Sequence, residues 1–196
     1  CQKPLTYSIR EARMMRETAE ATGVITQMGN QGTSENGLRE AVEVVRSGAI
    51  GDVEEVHIWT NRPVWPQGEG RPEGSDPIPD HLNWDAWIGT APMRPYKEGV
   101  YHSFKWRGWL DFGTGAIGAM GCQLLEGVFW GLELNQAESF SVEAESTGVN
   151  QDSYPRASTI RYRFPARGDL EPVEITWYDG GRKPSNPKQM PYLREV

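Results

Sequence analysis

Apolar and polar positions change period several times along the chain, and each change marks an element. Ile9, Ala12, Met15, Ala19 and Thr22 recur at helical spacing, with Arg13, Arg16, Glu17 and Glu20 on the opposite side. That pattern predicts an amphipathic helix to about Thr22 with its apolar stripe buried. Ser8 and Glu11 form a capping box at its start, and Gly23 stops it. Residues 24–28 begin with three β-branched side chains and predict a short, buried parallel strand. The loop 29–32 then lies at that strand's C-terminal end, where open α/β sheets bind ligands.

A second helix starts at Thr33 or Ser34, with Leu38, Ala41, Val42 and Val45 as its apolar face. Residues 53–60 alternate and predict a strand with Val56, Ile58 and Thr60 on one face and His57 and Trp59 on the other. Residues 61–82 are rich in proline and glycine and predict a long irregular loop, of the length usually reserved for function. One helical turn over 83–88 ends at Gly89. A third helix is expected over 113–132, with Ile117, Met120, Leu124, Val128 and Gly131 as its stripe. Three alternating segments, 139–146, Ser158–Phe164 and Val173–Tyr178, predict an antiparallel sheet covered on one side, and beyond Gly181 the chain frays.

Composition narrows the function classes. The 196 residues are 37% hydrophobic and 24% charged, enough for a folded core. Acidic residues outnumber basic ones 27 to 20, with the charges interspersed. No basic stripe exists to follow a phosphate backbone or an anionic lipid surface, so neither nucleic acid nor membrane is an expected partner. Cys1 and Cys122 have no metal-ligand spacing and read as reduced, packed thiols, and His57, His81 and His102 are too scattered for a metal site. Six of the eight tryptophans fall between Trp59 and Trp109, which places the substrate-facing surface in the central third; Trp130 and Trp177 read as core. Gly113 to Gly118 matches Gly-x-Gly-x-x-Gly, but an irregular segment precedes it, so these glycines read as packing and not as a dinucleotide loop.

Four segments together carry a resemblance. They are Cys1-Gln2-Lys3-Pro4-Leu5-Thr6, Gln27-Met28-Gly29-Asn30-Gln31-Gly32, Ser47-Gly48-Ala49-Ile50-Gly51-Asp52-Val53 and Trp106-Arg107-Gly108-Trp109-Leu110-Asp111-Phe112-Gly113-Thr114-Gly115-Ala116. In this order and spacing the chain resembles the Gfo/Idh/MocA family of glucose–fructose oxidoreductase and inositol dehydrogenase-like enzymes. The resemblance implies an α/β protein. Residues 1–31 would be the tail of a dinucleotide-binding Rossmann fold lacking its N-terminal part. Residues 32–196 would form an α+β substrate domain, clipped at its end, with an open, largely antiparallel sheet and helices on one face. It further implies NAD or NADP as cofactor in the full-length protein, a sugar or polyol as substrate, and a homo-oligomer paired through the C-terminal sheet.

Site residues follow from the same resemblance. Lys3 would hydrogen-bond the reacting hydroxyl and the nicotinamide ribose; on position alone it is a surface lysine at a strand end. Pro4 would belong with Lys3 to the cofactor-binding positions; it fixes the turn, and the family's peptide at this point is often cis. Asn30 and Gln31 would line the cleft between cofactor and substrate, and Trp106, Arg107 and Asp111 would face the substrate. The family's Asp-x-x-x-His pattern reads Ala119 and Gln123 here. Spacing of four keeps both on one helical face, but an amide cannot take a proton near neutrality. Gln123 would therefore stand at the catalytic position beside Lys3 and keep a substrate contact, without the base chemistry. Either another residue is the base, His102 being the best substitute, or the chain is a catalytically weak, sugar-binding homologue. A third reading is an NAD-dependent glycoside-cleaving relative.

Overall fold

The computed structural model describes residues 1–185. Residues 186–196, where most of the expected frayed end falls, lie outside the described residues.

The first helix, α1 (Ile9–Thr22), forms where its caps direct. Ser8 Oγ accepts from Glu11 N at 3.3 Å, Glu11 Oε2 accepts from Ser8 N at 3.0 Å, and Gly23 closes the helix at φ +65°. Its stripe is not buried, however. Ile9 and Met15 are exposed, and only Ala19 is half-buried. An amphipathic helix buries its face only when a second layer meets it, and no described element covers this one. The expected strand at 24–28 is corrected for the same reason. Val24 and Ile25 are exposed, and the pairing there reduces to a single parallel bridge between Gln2 and Gly29.

Helix α2 (Asn36–Arg46) follows a 3₁₀ turn at Gln31–Ser34 and buries Val42. Strands β1 (Glu55–Trp59), β2 (Ser141–Ser146), β3 (Ser158–Phe164) and β4 (Val173–Tyr178) make one open sheet in the order β1-β4-β3-β2. The β2–β3 and β3–β4 pairs are antiparallel, as the alternation predicts. β1 adds a parallel pair, with Ile58 opposite Trp177, because the intervening chain crosses over and returns.

One face of the sheet is the core. Ile58, Phe164, Val173, Ile175 and Trp177 are buried there with Leu132 and Leu134. Helices α4 (Gly115–Leu124) and α5 (Glu126–Gly131) cover it through Ile117, Met120, Leu124 and Val128, with Val45 of α2 at the edge. The other face is a charge ladder in which Arg163 pairs with Glu143 at 3.0 Å and Glu174 at 2.8 Å, and Arg161 with Glu145 at 2.6 Å.

The helix expected over 113–132 is thus two helices, starting later. Gly113 and Thr114 still belong to a turn, since Gly113 N donates to Trp109 O at 2.8 Å and Thr114 is non-helical. Leu125 marks the break. Residues 61–82 are irregular as expected, and α3 (Trp84–Ile88) is the single turn, capped by Asn83. α3 anchors a second, aromatic core of Trp84, Ile88, Tyr96, Tyr101 and Trp109. Two tryptophan and cysteine expectations need revision. Trp130 is 38% exposed at the end of α5, and Cys1 is exposed and not packed.

Candidate functional site

The first residues pair with the loop that follows residue 26. The Cys1 amino group donates to Gln27 O at 2.9 Å, and Gly29 N donates to Cys1 O at 2.7 Å. A Cβ on Gly29 would sit 2.8 Å from Gln2 Oε1, so glycine permits this approach. The pairing brings both Lys3 and Asn30 to α4, Lys3 at Ala119 and Asn30 at Cys122.

Lys3 Nζ donates to the carbonyl of Ala119, in the middle of α4. The side chain is half-buried, and its peptide to Pro4 is cis. Loss of hydration holds the ammonium below its ordinary pKa; nearby Cys122 opposes that shift and the positive charge of Arg107 adds to it.

Asn30 is 7% exposed. Its amide nitrogen lies 2.7 Å from Cys122 O, 2.9 Å from Glu126 Oε2 and 2.9 Å from Thr33 Oγ1. It therefore fastens the loop to the junction of α4 and α5. Gln31 begins the 3₁₀ turn and is exposed. Replacing Asn30 by alanine is expected to cost about 2 kcal/mol, the usual penalty for leaving a buried carbonyl unpaired. Hydrogen exchange of residues 31–34 should rise in that variant while the strands keep their protection.

Ala119 is 4% exposed and packs with Ala116 against Trp65. The indole of Trp65 thus occupies the side of α4 where the resemblance implies a carboxylate. Trp65 Nε1 donates to Gln67 Oε1 at 2.8 Å, and Gln67 Nε2 donates to Pro155 O at 2.6 Å. These bonds tie the long loop to the segment that precedes β3. Gln123, four residues on, is half-buried on α4.

Arg107 lies on a 3₁₀ turn, Lys105–Gly108, that also carries Trp106. Its guanidinium carbon is 4.4 Å from the Phe104 ring centre, 4.6 Å from that of Trp106 and 5.9 Å from that of Trp65. Lys3, Ala119, Trp65 and Arg107 thus form a connected group, with Asn30 and Glu126 one turn further along. A neighbouring cleft of about 430 Å³ is lined by Cys122, Leu125, Glu126, Phe129 and Trp130.

His102 and Asp111 belong to the aromatic core instead. His102 stands edge-on to Trp87 at 6.3 Å. Asp111 accepts from Arg94 and, at 3.0 Å, from Arg71, and Arg71 also pairs with Asp152 at 2.7 Å. Buried Arg94 stacks on Phe112 and Tyr101. Two features escaped the sequence reading: the partnership of Asn30 with Glu126, and Trp65 as the neighbour of Ala119. Neither has a periodic signal, since both join segments more than fifty residues apart.

The glycines at 113–118 are filled by the protein itself. Side chains at Gly113 and Gly118 would overlap Arg107 and Thr114, and one at Gly115 would sit 2.8 Å from the Tyr154 ring. They cannot cradle a pyrophosphate. The described residues that fit a nicotinamide coenzyme are those suited to its reactive end: Lys3, Asn30 with its buried, unpartnered Oδ1, and exposed Gln31. Among the described residues no group of three or more His, Cys, Asp or Glu could hold a metal, and no helix is long and apolar enough to cross a membrane.

No curated protein matches the chain. Residues 43–170 match the family model described as an oxidoreductase-family C-terminal alpha/beta domain, which spans α4, α5 and most of the sheet, and the chain therefore belongs to the Gfo/Idh/MocA oxidoreductase family.

Proposed function

We propose that the chain is the substrate-side part of an NAD- or NADP-dependent oxidoreductase acting on a hydroxyl of a sugar or polyol. The observation that carries this reading is the docking of Lys3 on α4 at Ala119, beside Asn30 and within the field of Arg107. The coenzyme, when bound, accepts or returns a hydride at the nicotinamide ring. The chain's own residues do the rest. Lys3 presents an ammonium to the reacting oxygen and stabilises negative charge as the O–H proton leaves. Asn30 and Gln31 line the nicotinamide side. Trp106 offers an apolar face to sugar C–H groups, and Gln123 hydrogen-bonds a hydroxyl. The residues that hold the coenzyme's phosphates belong to a domain that precedes this one in the family. Pairing of subunits through the sheet is part of the same proposal, supported by the exposed apolar residues Phe140 and Val142 at its β2 edge.

One observation favours a second reading, a sugar-binding homologue without turnover. Position 119, whose carbonyl Lys3 meets, is an alanine buried against Trp65 and supplies no carboxylate. The experiment is coenzyme reduction by the protein from its complete reading frame, assayed against a panel of sugars and polyols. Net NADH or NADPH formation supports the oxidoreductase. Saturable sugar binding without it supports the homologue, and glycoside cleavage without net reduction would place the chain with the glycoside-cleaving relatives.

A further inference from the structure

The geometry points to an anionic substrate: a sugar or polyol carrying a carboxylate, received by the Nε–Nη2 edge of Arg107 while Lys3 meets the reacting hydroxyl. This rests on the oxidoreductase reading above and names its substrate class.

Arg107 is half-buried and, among the described residues, has no counter-ion. Its Nη1 donates to Phe104 O at 2.8 Å, and its flanks are covered by the rings of Phe104, Trp106 and Trp65. Among the described residues no carboxylate pairs with it, and no hydrogen bond uses Nε or Nη2. Arg16, Arg46, Arg71, Arg94, Arg161 and Arg163 all have carboxylate partners. In a chain of net charge −7, acids are plentiful, yet none is placed here. A partly desolvated cation without a partner costs stability, and a ligand anion removes that cost.

The neighbours sharpen the argument. Gln2, Ala119 and Gln123 are all neutral, at positions where the resemblance implies Glu, Asp and His. Glu126, the acid of this helix face, is already held by Asn30. The cluster is therefore net positive. Burial depresses the pKa of both Lys3 and Arg107, and Arg107 depresses that of Lys3 further, so an anion between them relieves both. A carboxylate fits better than a phosphate. The available guanidinium edge is planar and offers two parallel N–H groups, the geometry of a bidentate carboxylate. A phosphate dianion collects more donors, and the one glycine-rich turn nearby is filled by Thr114, Arg107 and Tyr154. The carboxylate takes no part in bond changes. The carbinol hydrogen leaves as hydride to the nicotinamide, the hydroxyl proton goes to solvent, and a carbonyl remains.

The test uses protein from the complete reading frame. Calorimetry and coenzyme reduction are both measured with matched probes: aldonates and uronates, their neutral parent polyols and sugars, and the corresponding phosphate esters. The carboxylates should bind, and turn over in kcat/KM, at least about tenfold better than their neutral parents, the scale of one charge-assisted pair. R107M should reduce that preference below about threefold. R107K, which keeps the charge and loses the fork, should fall between and guards against misfolding of the first variant. Equal use of neutral parents, a preference for phosphates, or a preference that survives R107M each overturn the anion site while leaving the oxidoreductase standing. Arg107-dependent binding of carboxylates without any coenzyme reduction does the reverse, and a panel in which nothing binds sinks both.

Discussion

Replacing Lys3 by methionine is expected to lower kcat about a thousandfold while moving KM little. The estimate follows from the removal of one preorganised donor aimed at developing charge, worth about 4 kcal/mol of barrier. Lys3 is placed for that part because segment 1–3 pairs with residues 27–29 and because Nζ reaches the Ala119 carbonyl. An interaction made chiefly in the transition state appears in kcat, so the split between kcat and KM separates this role from simple substrate binding. Steady-state kinetics on the coenzyme-loaded protein supply the measurement, with thermal unfolding as control. The fold should change by no more than about 1 kcal/mol, the scale of a hydrogen bond made by a half-buried side chain. The alkaline limb of the pH profile gives a second readout. The ammonium is the active form, and burial lowers its pKa, so the rate falls as pH rises through that lowered value. K3R should move the limb upward, because arginine stays charged. Removing Arg107 should also move it upward, because Arg107 is one of the groups that depresses Lys3. A variant K3M that retains most of its kcat would end the proposal for Lys3.

Local signals served the sequence reading well where a segment's structure depends on itself. The Ser8–Glu11 box, the Gly23 stop, the Asn83 turn and the bounds of β3 and β4 all follow from residues within a few positions. Signals that need a partner served less well. The stripe of α1 and the β-branched run at 24–28 specify burial, but burial also requires a second layer, and none of the described residues supplies it. The long apolar pattern of 113–132 carried no mark of its break, because Leu125 keeps helical dihedrals, its N–H still donates to Gly121 O and its carbonyl still accepts from Phe129 N. The parallel β1–β4 pair was equally hidden, since a strand's alternation does not state which neighbour it joins.

The site divides the same way. Lys3, Asn30 and Arg107 came from the resemblance, and the fold connects them through Ala119, Trp65 and Cys122. His102 and Asp111 came from the same stretch of sequence but lie with the aromatic core, where Asp111 is engaged by two arginines. Neighbours in sequence on this loop have different surroundings: Arg107 lies against Phe104, Trp106 and Trp65, whereas His102 meets Trp87 and Asp111 meets Arg71 and Arg94.

Trp177→Ala is expected to destabilise the domain by about 4 kcal/mol, within the range for deleting a large buried aromatic. Trp177 is 0% exposed near the end of β4, opposite Ile160 of β3 and Ile58 of β1, so both neighbouring strands border the resulting cavity. Its Nε1 also donates to Asp179 Oδ2 at 2.9 Å, and Asp179 Oδ1 accepts from Ser158 N at 2.6 Å. Burial raises the Asp179 pKa above its ordinary value of 3.8, and these two hydrogen bonds hold the rise down. W177F separates the two contributions. It keeps most of the ring and removes the donor, so the folded-state pKa of Asp179 should climb further. A carboxyl whose pKa is higher folded than unfolded binds more protons in the native state, so stability falls as pH rises between the two values. The deficit of W177F relative to the parent should therefore be small near pH 4 and larger at pH 7, whereas the cavity cost of W177A should persist at both. Denaturant unfolding at the two pH values measures this, and a W177F deficit that shrinks with rising pH would show that the indole N–H does not support the Asp179 carboxylate.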